Sequence, residues 1–506
     1  MLAVFDNGAH PPCPSDFNLA EHVLAHADND PDKIALAVLG LSGSQRISYA
    51  QLKSAVLGTG RGLLNQGLTS GDRVLMRIGN TPQFPIAYLG AIAAGLVPVP
   101  TSAQLTKAEV SKLSKLVSPK LVLAASGIAC PDDLGCPTLN EGELQSFQSL
   151  PPIDFARGDP NRLAYIIFTS GTSGKPRPVM HAHRSIWARQ MMHDGWYWLG
   201  NSDRLLHAGA FNWSFTLGTG LLDPWSVGAT ALIPDQNIPA STLPLLLKRH
   251  DATLFAGAPG VFRQILKEDK TLDLPKLRHG LCAGEKLTRA IQQKWKTATG
   301  LELHEAFGMS ECSTFISASP SAPVSKSLGR PQNGRRVAIV DGHGPVEMGE
   351  IGQIAVSERD PGLMLGYLNE PEATDARFLD EWFLTGDLGS MNADFTINYE
   401  ARSDDMMNAG GFRVSPLEVE SVLANHLKIS EVAVTDVEIK ADTRVIAAFY
   451  VSEQDIEDAE LEDYVSKELA RYKHPRLYKR LKSLPRGANN KLSRKKLRSE
   501  LENPCS

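Results

Sequence analysis

Apolar and polar positions along this chain follow two rhythms. Segments with an apolar residue every three or four positions predict helices, and short unbroken apolar runs predict buried strands. Residues 49–65 carry an amphipathic helical pattern. Arg73-Val74-Leu75-Met76-Arg77-Ile78 reads as a strand, 84–94 as an apolar helix and Val97-Pro98-Val99-Pro100 as a short extended segment. This alternation, from about 17 to 120, predicts parallel sheet with helices packed on it. Residues 125–160 are rich in Pro, Asp, Gly and Ser and predict a surface excursion. A second α/β stretch runs from about 183 to 310, with strands at 229–234 and 253–256. Residues 288–299 predict a helix closed by Gly300. Residues 327–400 change texture, with short strands and many glycines, as in a small β-barrel. From about 403 onward a compact α+β pattern of small-domain size follows.

Composition narrows the classes. A length of 506 residues suggests two to four domains. Hydrophobic content of 42% and charged content of 22% are those of a soluble globular protein. The net charge of −5 gives no global reason to expect nucleic acid as a partner. No apolar run approaches the roughly eighteen residues of a membrane span, and the N-terminus lacks the features of a signal peptide. The six cysteines lack C-x-x-C spacing, which predicts a reducing cytoplasm rather than a disulfide framework or a zinc site. Charge is uneven near the end: between Arg471 and Arg498 there are twelve Lys/Arg and no acidic residue. Such a run fits a solvated face, a nucleic-acid patch or a lid that meets a polyphosphate.

The strongest chemical signal follows the apolar run Leu163-Ala164-Tyr165-Ile166-Ile167-Phe168. There the chain continues Thr169-Ser170-Gly171-Thr172-Ser173-Gly174-Lys175-Pro176. Glycines let backbone N–H groups approach an anion, hydroxyls add donors and a lysine adds charge. The spacing is not that of a Walker A loop. An ordinary Gly/Ser turn would also fit the loop taken alone.

Further motifs follow in order: Phe307-Gly308-Met309-Ser310-Glu311, Leu384-Thr385-Gly386-Asp387, Arg402-Ser403-Asp404-Asp405, Gly410-Gly411-Phe412-Arg413, and Leu484-Pro485-Arg486 with Lys491. Together with the loop they resemble the acyl-adenylate-forming superfamily of acyl- and aryl-CoA ligases, peptide-synthetase adenylation domains and luciferases. The resemblance spans about 17 to 498. It implies an α/β fold, with a large N-terminal domain of mixed α/β subdomains plus a small β-barrel at 1–402. A small mobile α+β C-terminal domain would occupy 403–506. It also implies ATP and Mg2+ as requirements, an acyl-adenylate intermediate, and transfer of the acyl group to a thiol, usually CoA.

The resemblance assigns roles residue by residue. Thr169, Ser170, Gly171, Thr172, Ser173, Gly174 and Lys175 would hold the leaving phosphates. Ser310 would contact a phosphate and Glu311 would hold Mg2+. Ala283, Gly284, Glu285 and the ring of Phe307 would form the adenine shelf, and Gly308 would also belong to the ATP site. Asp387 would accept from the ribose hydroxyls, with Arg402 nearby. Lys491 would be the catalytic lysine, bridging carboxylate and α-phosphate. Asp404 would be the hinge, and Gly410 and Gly411 would line the pantetheine passage. Cys312 reads better as a small packed thiol than as a nucleophile. The chain departs from the family pattern at Arg177-Pro178, Ala401 and Asn490.

The acid pocket is expected around His207, Phe211, Asn212, Trp213, Gly257 and Ala258. The segment 209–218 is aromatic and neutral, and is similar to that of benzoate-type ligases. Phe211 and Trp213 could pack a ring or belong to the core. His183 and His207 read first as hydrogen-bonded structural histidines. Amino-acid-activating relatives carry an aspartate near Asn212 to hold the substrate ammonium, and its absence points to an unaminated acid. The expected activity is a carboxylic acid–CoA ligase, forming AMP and diphosphate. The alternatives are an adenylation enzyme that loads a carrier-protein pantetheine, and a degenerate nucleotide-binding protein. Expected partners are a small carboxylic acid and CoA, with no nucleic acid or membrane, and a homodimer is allowed for.

Overall fold

A computed structural model describes the chain apart from residues 170–175, 236–237, 269, 325–326, 404, 406, 410–411, 441–442, 470, 488–491 and 503–506. The expected site residues from Ser170 to Lys175, with Asp404, Gly410, Gly411 and Lys491, therefore lie outside the described residues. The chain divides into two compact units. One comprises Phe5–Val337 and Val356–Phe383; the other comprises Met1–Val4, Ala338–Ala355 and Leu384–Ser506.

The larger unit is built on a nine-stranded sheet. Its strand order is Arg330–Pro331, Ser313–Ser317, Leu303–Met309, His279–Ala283, Leu254–Gly257, Arg204–Ala208, Thr230–Pro234, Ile34–Leu39 and Ser44–Ser48. The strands from Leu303–Met309 to Ile34–Leu39 run parallel, and the outer strands pair antiparallel. The strands expected at 229–234 and 253–256 are both present in this sheet. Parallel strands need covering on both faces, which explains their near-continuous apolar sequences. The helix Arg289–Thr299 shows how local sequence sets an element. Thr288 accepts from the Ile291 N–H at its start, Gly300 ends it at φ +75°, and it buries Ile291 and Trp295.

A second sheet bears out the alternation read near the N-terminus. Arg73–Arg77 pairs in parallel with Val97–Pro100 and with Leu121–Ala124. The helices Tyr49–Asn65 and Gln83–Ala93 form beside these strands in sequence. Residues 125–160 are more structured than their turn-rich composition predicts. Thr138–Asn140 adds a parallel strand, and the helix Glu141–Phe147 begins with a reciprocal Asn140–Glu143 capping box. Here a cap overrides composition.

The strands Arg336–Asp341, Ile351–Ser357 and Trp382–Met391 lie mostly in the smaller unit, with Ile397–Arg402 antiparallel to the last. Among the described residues these strands pair as an open path and do not close into the expected barrel. The same unit contains the sheet Glu431–Lys440, Thr443–Val451 and Leu477–Arg480. The helices Pro416–Leu423 and Asp458–Ser466 complete this α+β pattern. Residues on both sides of position 403 pack together within the unit: Ser415 Oγ donates to the Glu400 carbonyl at 2.6 Å. No helix among the described residues is long and apolar enough to cross a membrane.

Candidate active site

In the nine-stranded sheet the chain visits Arg204–Ala208, steps to one side for Thr230–Pro234, then to the other for Leu254–Gly257. Connections that leave neighbouring parallel strands in opposite directions open a crevice at their C-terminal ends, where α/β sheets bind ligands. Ala208 and Gly257 are register partners at that crevice. Gly257 in turn pairs with Cys282, and Ala283 with Ala306. The topology thus brings His207, Gly257, Ala258, Ala283, Gly284, Glu285 and Phe307 to one sheet edge, although they are spread over a hundred positions of sequence.

Ser310 and Glu311 occupy the turn between Leu303–Met309 and Ser313–Ser317. Close backbone approach explains Gly308, because a Cβ there would lie 2.2 Å from the Ser313 carbonyl oxygen. Glu311 is buried at 7% exposure, and its Oε1 accepts from the Tyr367 hydroxyl at 2.8 Å. The loop that precedes Pro176 joins two antiparallel strands, Leu163–Thr169 and Arg177–Ala182, with Thr169 opposite Arg177. His181 ties this hairpin to the Glu311 turn, its Nε2 donating to the Ser310 carbonyl at 2.8 Å. Arg177, one of the departures from the family pattern, lies 5.3 Å over the Tyr367 ring and 3.2 Å from Glu370. The Cys312 thiol is fully buried, and burial raises its pKa well above the ordinary value. That state suits packing rather than nucleophilic attack.

The segment after Gly209 is positioned by a residue that sequence reasoning did not single out. Asn80 donates to the Gly209 carbonyl and accepts from the Phe211 N–H, at 2.7 and 2.9 Å. Phe211 faces the core, 1% exposed, against Phe84. Asn212 and Trp213 remain half-buried. The Trp213 indole covers Gly284, whose φ is +97° and where a Cβ would lie 2.6 Å from the ring. Trp213 therefore joins the expected acid pocket to the expected adenine shelf. Phe307 meets Phe315 edge-on at 5.5 Å.

Residues 214–226 form a helix interrupted by a π-turn at Gly218–Leu222. Such turns are frequent at functional sites. Its glycines admit two buried side chains: a Cβ at Gly218 would lie 2.2 Å from the Arg189 guanidinium, and one at Gly220 would lie 2.8 Å from His207 Cβ. Arg189 is paired with Asp223 at 2.5 Å. His183 is the hydrogen-bonded structural histidine expected, its Nδ1 accepting from the Leu19 N–H. His207 is not: it is fully buried, neither ring nitrogen has a hydrogen-bond partner among the described residues, and burial lowers its pKa to about 3.

In the smaller unit, Asp387 and Arg402 face each other across an antiparallel pair, with Arg402 Nη1 3.6 Å from Asp387 Oδ2. The Tyr399 hydroxyl donates to Asp387 Oδ1 at 2.9 Å. Burial together with the Asp387 charge raises the Tyr399 pKa. A carboxylate fixed in this way can accept from a diol.

The fold is α/β with a crevice at the C-terminal ends of its parallel strands, and comparisons with known proteins identify its family. A family model described as "AMP-binding enzyme" matches residues 23–368, and one described as "AMP-binding enzyme C-terminal domain" matches 418–491. This chain belongs to the AMP-binding enzyme family. It is 29% identical over 475 residues to the mitochondrial acyl-coenzyme A synthetase ACSM3 of Homo sapiens, covering 86% of this chain and 79% of that one. It is 28% identical over 492 residues to the 3-hydroxybenzoate–CoA ligase of Aromatoleum sp. (strain CIB), covering 92% and 93%. The fold matches a benzoate CoA ligase from Burkholderia xenovorans LB400 with a TM-score of 0.85 and 27% identity, over 95% and 100% of the two chains.

Proposed function

We propose that this protein is an ATP-dependent carboxylic acid–CoA ligase that forms AMP and diphosphate. The observation that carries this reading is the tie between the hairpin around residues 170–175 and the Glu311 turn, made by His181 at the C-terminal edge of the parallel sheet. It supports a reading in which Glu311, held by Tyr367, works beside the strands Leu163–Thr169 and Arg177–Ala182 that flank the expected phosphate segment.

In the first half-reaction a carboxylate oxygen of the acid attacks the α-phosphorus and diphosphate leaves. In the second a thiol sulfur attacks the acyl carbon, and AMP leaves with the electrons of the broken acyl–oxygen bond. Displacement at phosphorus needs alignment and charge neutralisation more than covalent help. We assign Thr169 and residues 170–175 to the departing phosphates and Ser310 to a phosphate oxygen. Ala283, Gly284, Glu285 and Phe307 would hold the adenine, with Gly308 also in the ATP site, and Asp387 with Arg402 the ribose. Lys491 would neutralise charge between the carboxylate and the α-phosphate. A movement of 403–506 about Asp404 would exchange Lys491 for Gly410 and Gly411 along the thiol's path.

The residues fit Mg2+, which is commonly held by one or two carboxylates plus substrate phosphates. Glu311 offers such a carboxylate, oriented through one oxygen by Tyr367. When bound, the ion supplies positive charge to the departing diphosphate. We place the reaction in the cytoplasm, with CoA as the acceptor and a carrier pantetheine as the second reading.

The test is diphosphate release from ATP/Mg2+ with acids from acetate through medium-chain acids to benzoate derivatives, with and without CoA. Products are identified by mass spectrometry. Acyl-CoA plus AMP is expected. An adenylate without thioester moves the acceptor to a carrier protein, and no turnover with any acid overturns the ligase reading.

A further inference from the structure

Asn80 lies in the turn between the strand Arg73–Arg77 and the helix Gln83–Ala93. The turn is tight: the Thr81 N–H donates to the Gly79 carbonyl at 2.8 Å and the Phe84 N–H to the Thr81 carbonyl at 3.0 Å. From this turn the Asn80 amide meets the chain just beyond the strand Arg204–Ala208. Nδ2 donates to the Gly209 carbonyl and Oδ1 accepts from the Phe211 N–H, so the two peptide groups flanking Ala210 are held by one side chain. Pairing with a carbonyl and an N–H at once takes a group that both donates and accepts, which a primary amide does and a carboxylate does not. Among the described residues, no other side chain hydrogen-bonds to the backbone of 209–213.

The same turn also holds this segment through its side chains. Phe211 is 1% exposed and packs at 5.4 Å on Phe84, four residues beyond Asn80. The chain then folds back over Gly209, where a Cβ would lie 2.2 Å from Thr216 Oγ1 and 3.1 Å from the His207 ring. Polar groups under the segment do not supply the hold: both His207 ring nitrogens and Thr216 Oγ1 are buried without hydrogen-bond partners among the described residues. With Phe211 fixed by backbone and ring, the next two side chains, Asn212 and Trp213, stay half-buried. Trp213 covers Gly284 and meets Phe215 edge-on at 5.2 Å.

We propose that Asn80 is a positioning residue for acid selection: by fixing the backbone on either side of Ala210 it sets where Asn212 and Trp213 stand, and so which acids fit. The inference rests on the ligase reading, which puts the acid against 209–213. A misplacement of about an ångström in such a segment is enough to blur discrimination by shape. The phosphates of ATP would be held elsewhere, at the turn that His181 anchors.

The test compares the full-length parent protein with Asn80→Ala and Asn80→Asp. The second variant keeps the size of the side chain and the acceptor for Phe211, but sets a carboxylate oxygen against the Gly209 carbonyl. Diphosphate release is measured with benzoate, octanoate and acetate over a range of acid and ATP concentrations. Amide hydrogen exchange is followed in parallel by mass spectrometry. In Asn80→Ala, exchange is expected to rise over 209–217 and to stay as in the parent over 254–257 and 279–283. KM for the preferred acid is expected to rise about tenfold, the scale of one or two lost hydrogen bonds, and its advantage over the next acid to fall by about as much. KM for ATP is expected to move much less, and Asn80→Asp to act in the same direction. No preference among the acids in the parent, an unchanged preference in the variants, a KM for ATP that rises with that for the acid, or exchange that rises throughout the larger unit would overturn the inference. Should Asn80→Ala fail to fold, Asn80→Asp decides. If the parent turns over none of the three acids, the ligase reading fails and calorimetric binding of the same acids decides the inference: a preference lost in the variants sustains it, and equal binding or none overturns it.

Discussion

Glu311 illustrates how much one side chain's surroundings restrict its role. The carboxylate is 7% exposed and Tyr367 holds one of its oxygens. A glutamine can accept the same hydrogen bond but carries no charge. Glu311→Gln is therefore expected to keep the urea unfolding midpoint near that of the parent protein. Diphosphate release should fall by about 10²–10³, the usual cost of removing one preorganised electrostatic stabiliser. Unchanged turnover with MgATP would remove Glu311 from the site. Glu311 was singled out in the sequence through the motif Phe307-Gly308-Met309-Ser310-Glu311; its carboxylate taken alone reads equally as a helix N-terminal residue, and what the structure adds is its burial and its Tyr367 partner. His181 was not legible, because its partner is a carbonyl 129 positions away. Phe211 and His207 sit at expected positions with altered surroundings, since the contacts that decide between core, pocket and hydrogen bond come from Phe84 and Gly220.

Elements were readable where period and caps agree, as in Tyr49–Asn65 and Arg289–Thr299. The sideways step to Thr230–Pro234, which opens the crevice, was not readable, because sequence order does not encode spatial order. The interrupted helix at 214–226 was also missed. It is held by charge: Asp223 is fully buried and accepts from Arg189 Nε, Arg189 Nη2 and the Tyr197 hydroxyl. Removing one member strands the other in the interior. Asp223→Ala is therefore expected to cost about 3–5 kcal/mol, read as a lower urea midpoint. The double variant Arg189→Met with Asp223→Leu should recover much of that loss. A loss of less than about 1 kcal/mol in Asp223→Ala would mean that the pair does not organise this helix.

At the scale of the molecule, the change of texture near 403 was visible, whereas the grouping of 338–355 with the C-terminal residues depends on long-range packing. The larger unit also has a collective property that no motif announces. His22, His181, His279 and His304 are held at pKa values of about 4, and His183 and His207 at about 3, in each case chiefly because burial disfavours the charged ring. An exposed histidine in the unfolded chain titrates near 6.5. Above that pH both states hold these rings neutral, and the stabilisation is fully present. As pH falls below about 6.5 the unfolded chain takes up protons that the folded chain refuses, so stability declines with pH. Each ring contributes about 1.4 kcal/mol per pH unit until its own folded value is reached. The loss is complete only as pH passes through about 4 and then about 3. Urea midpoints are therefore expected to hold steady from pH 8 to 7 and to fall steeply from 6.5 to 5, before most carboxylates titrate. A midpoint that stays level across that lower window would mean that these six histidines are not held neutral in the folded chain.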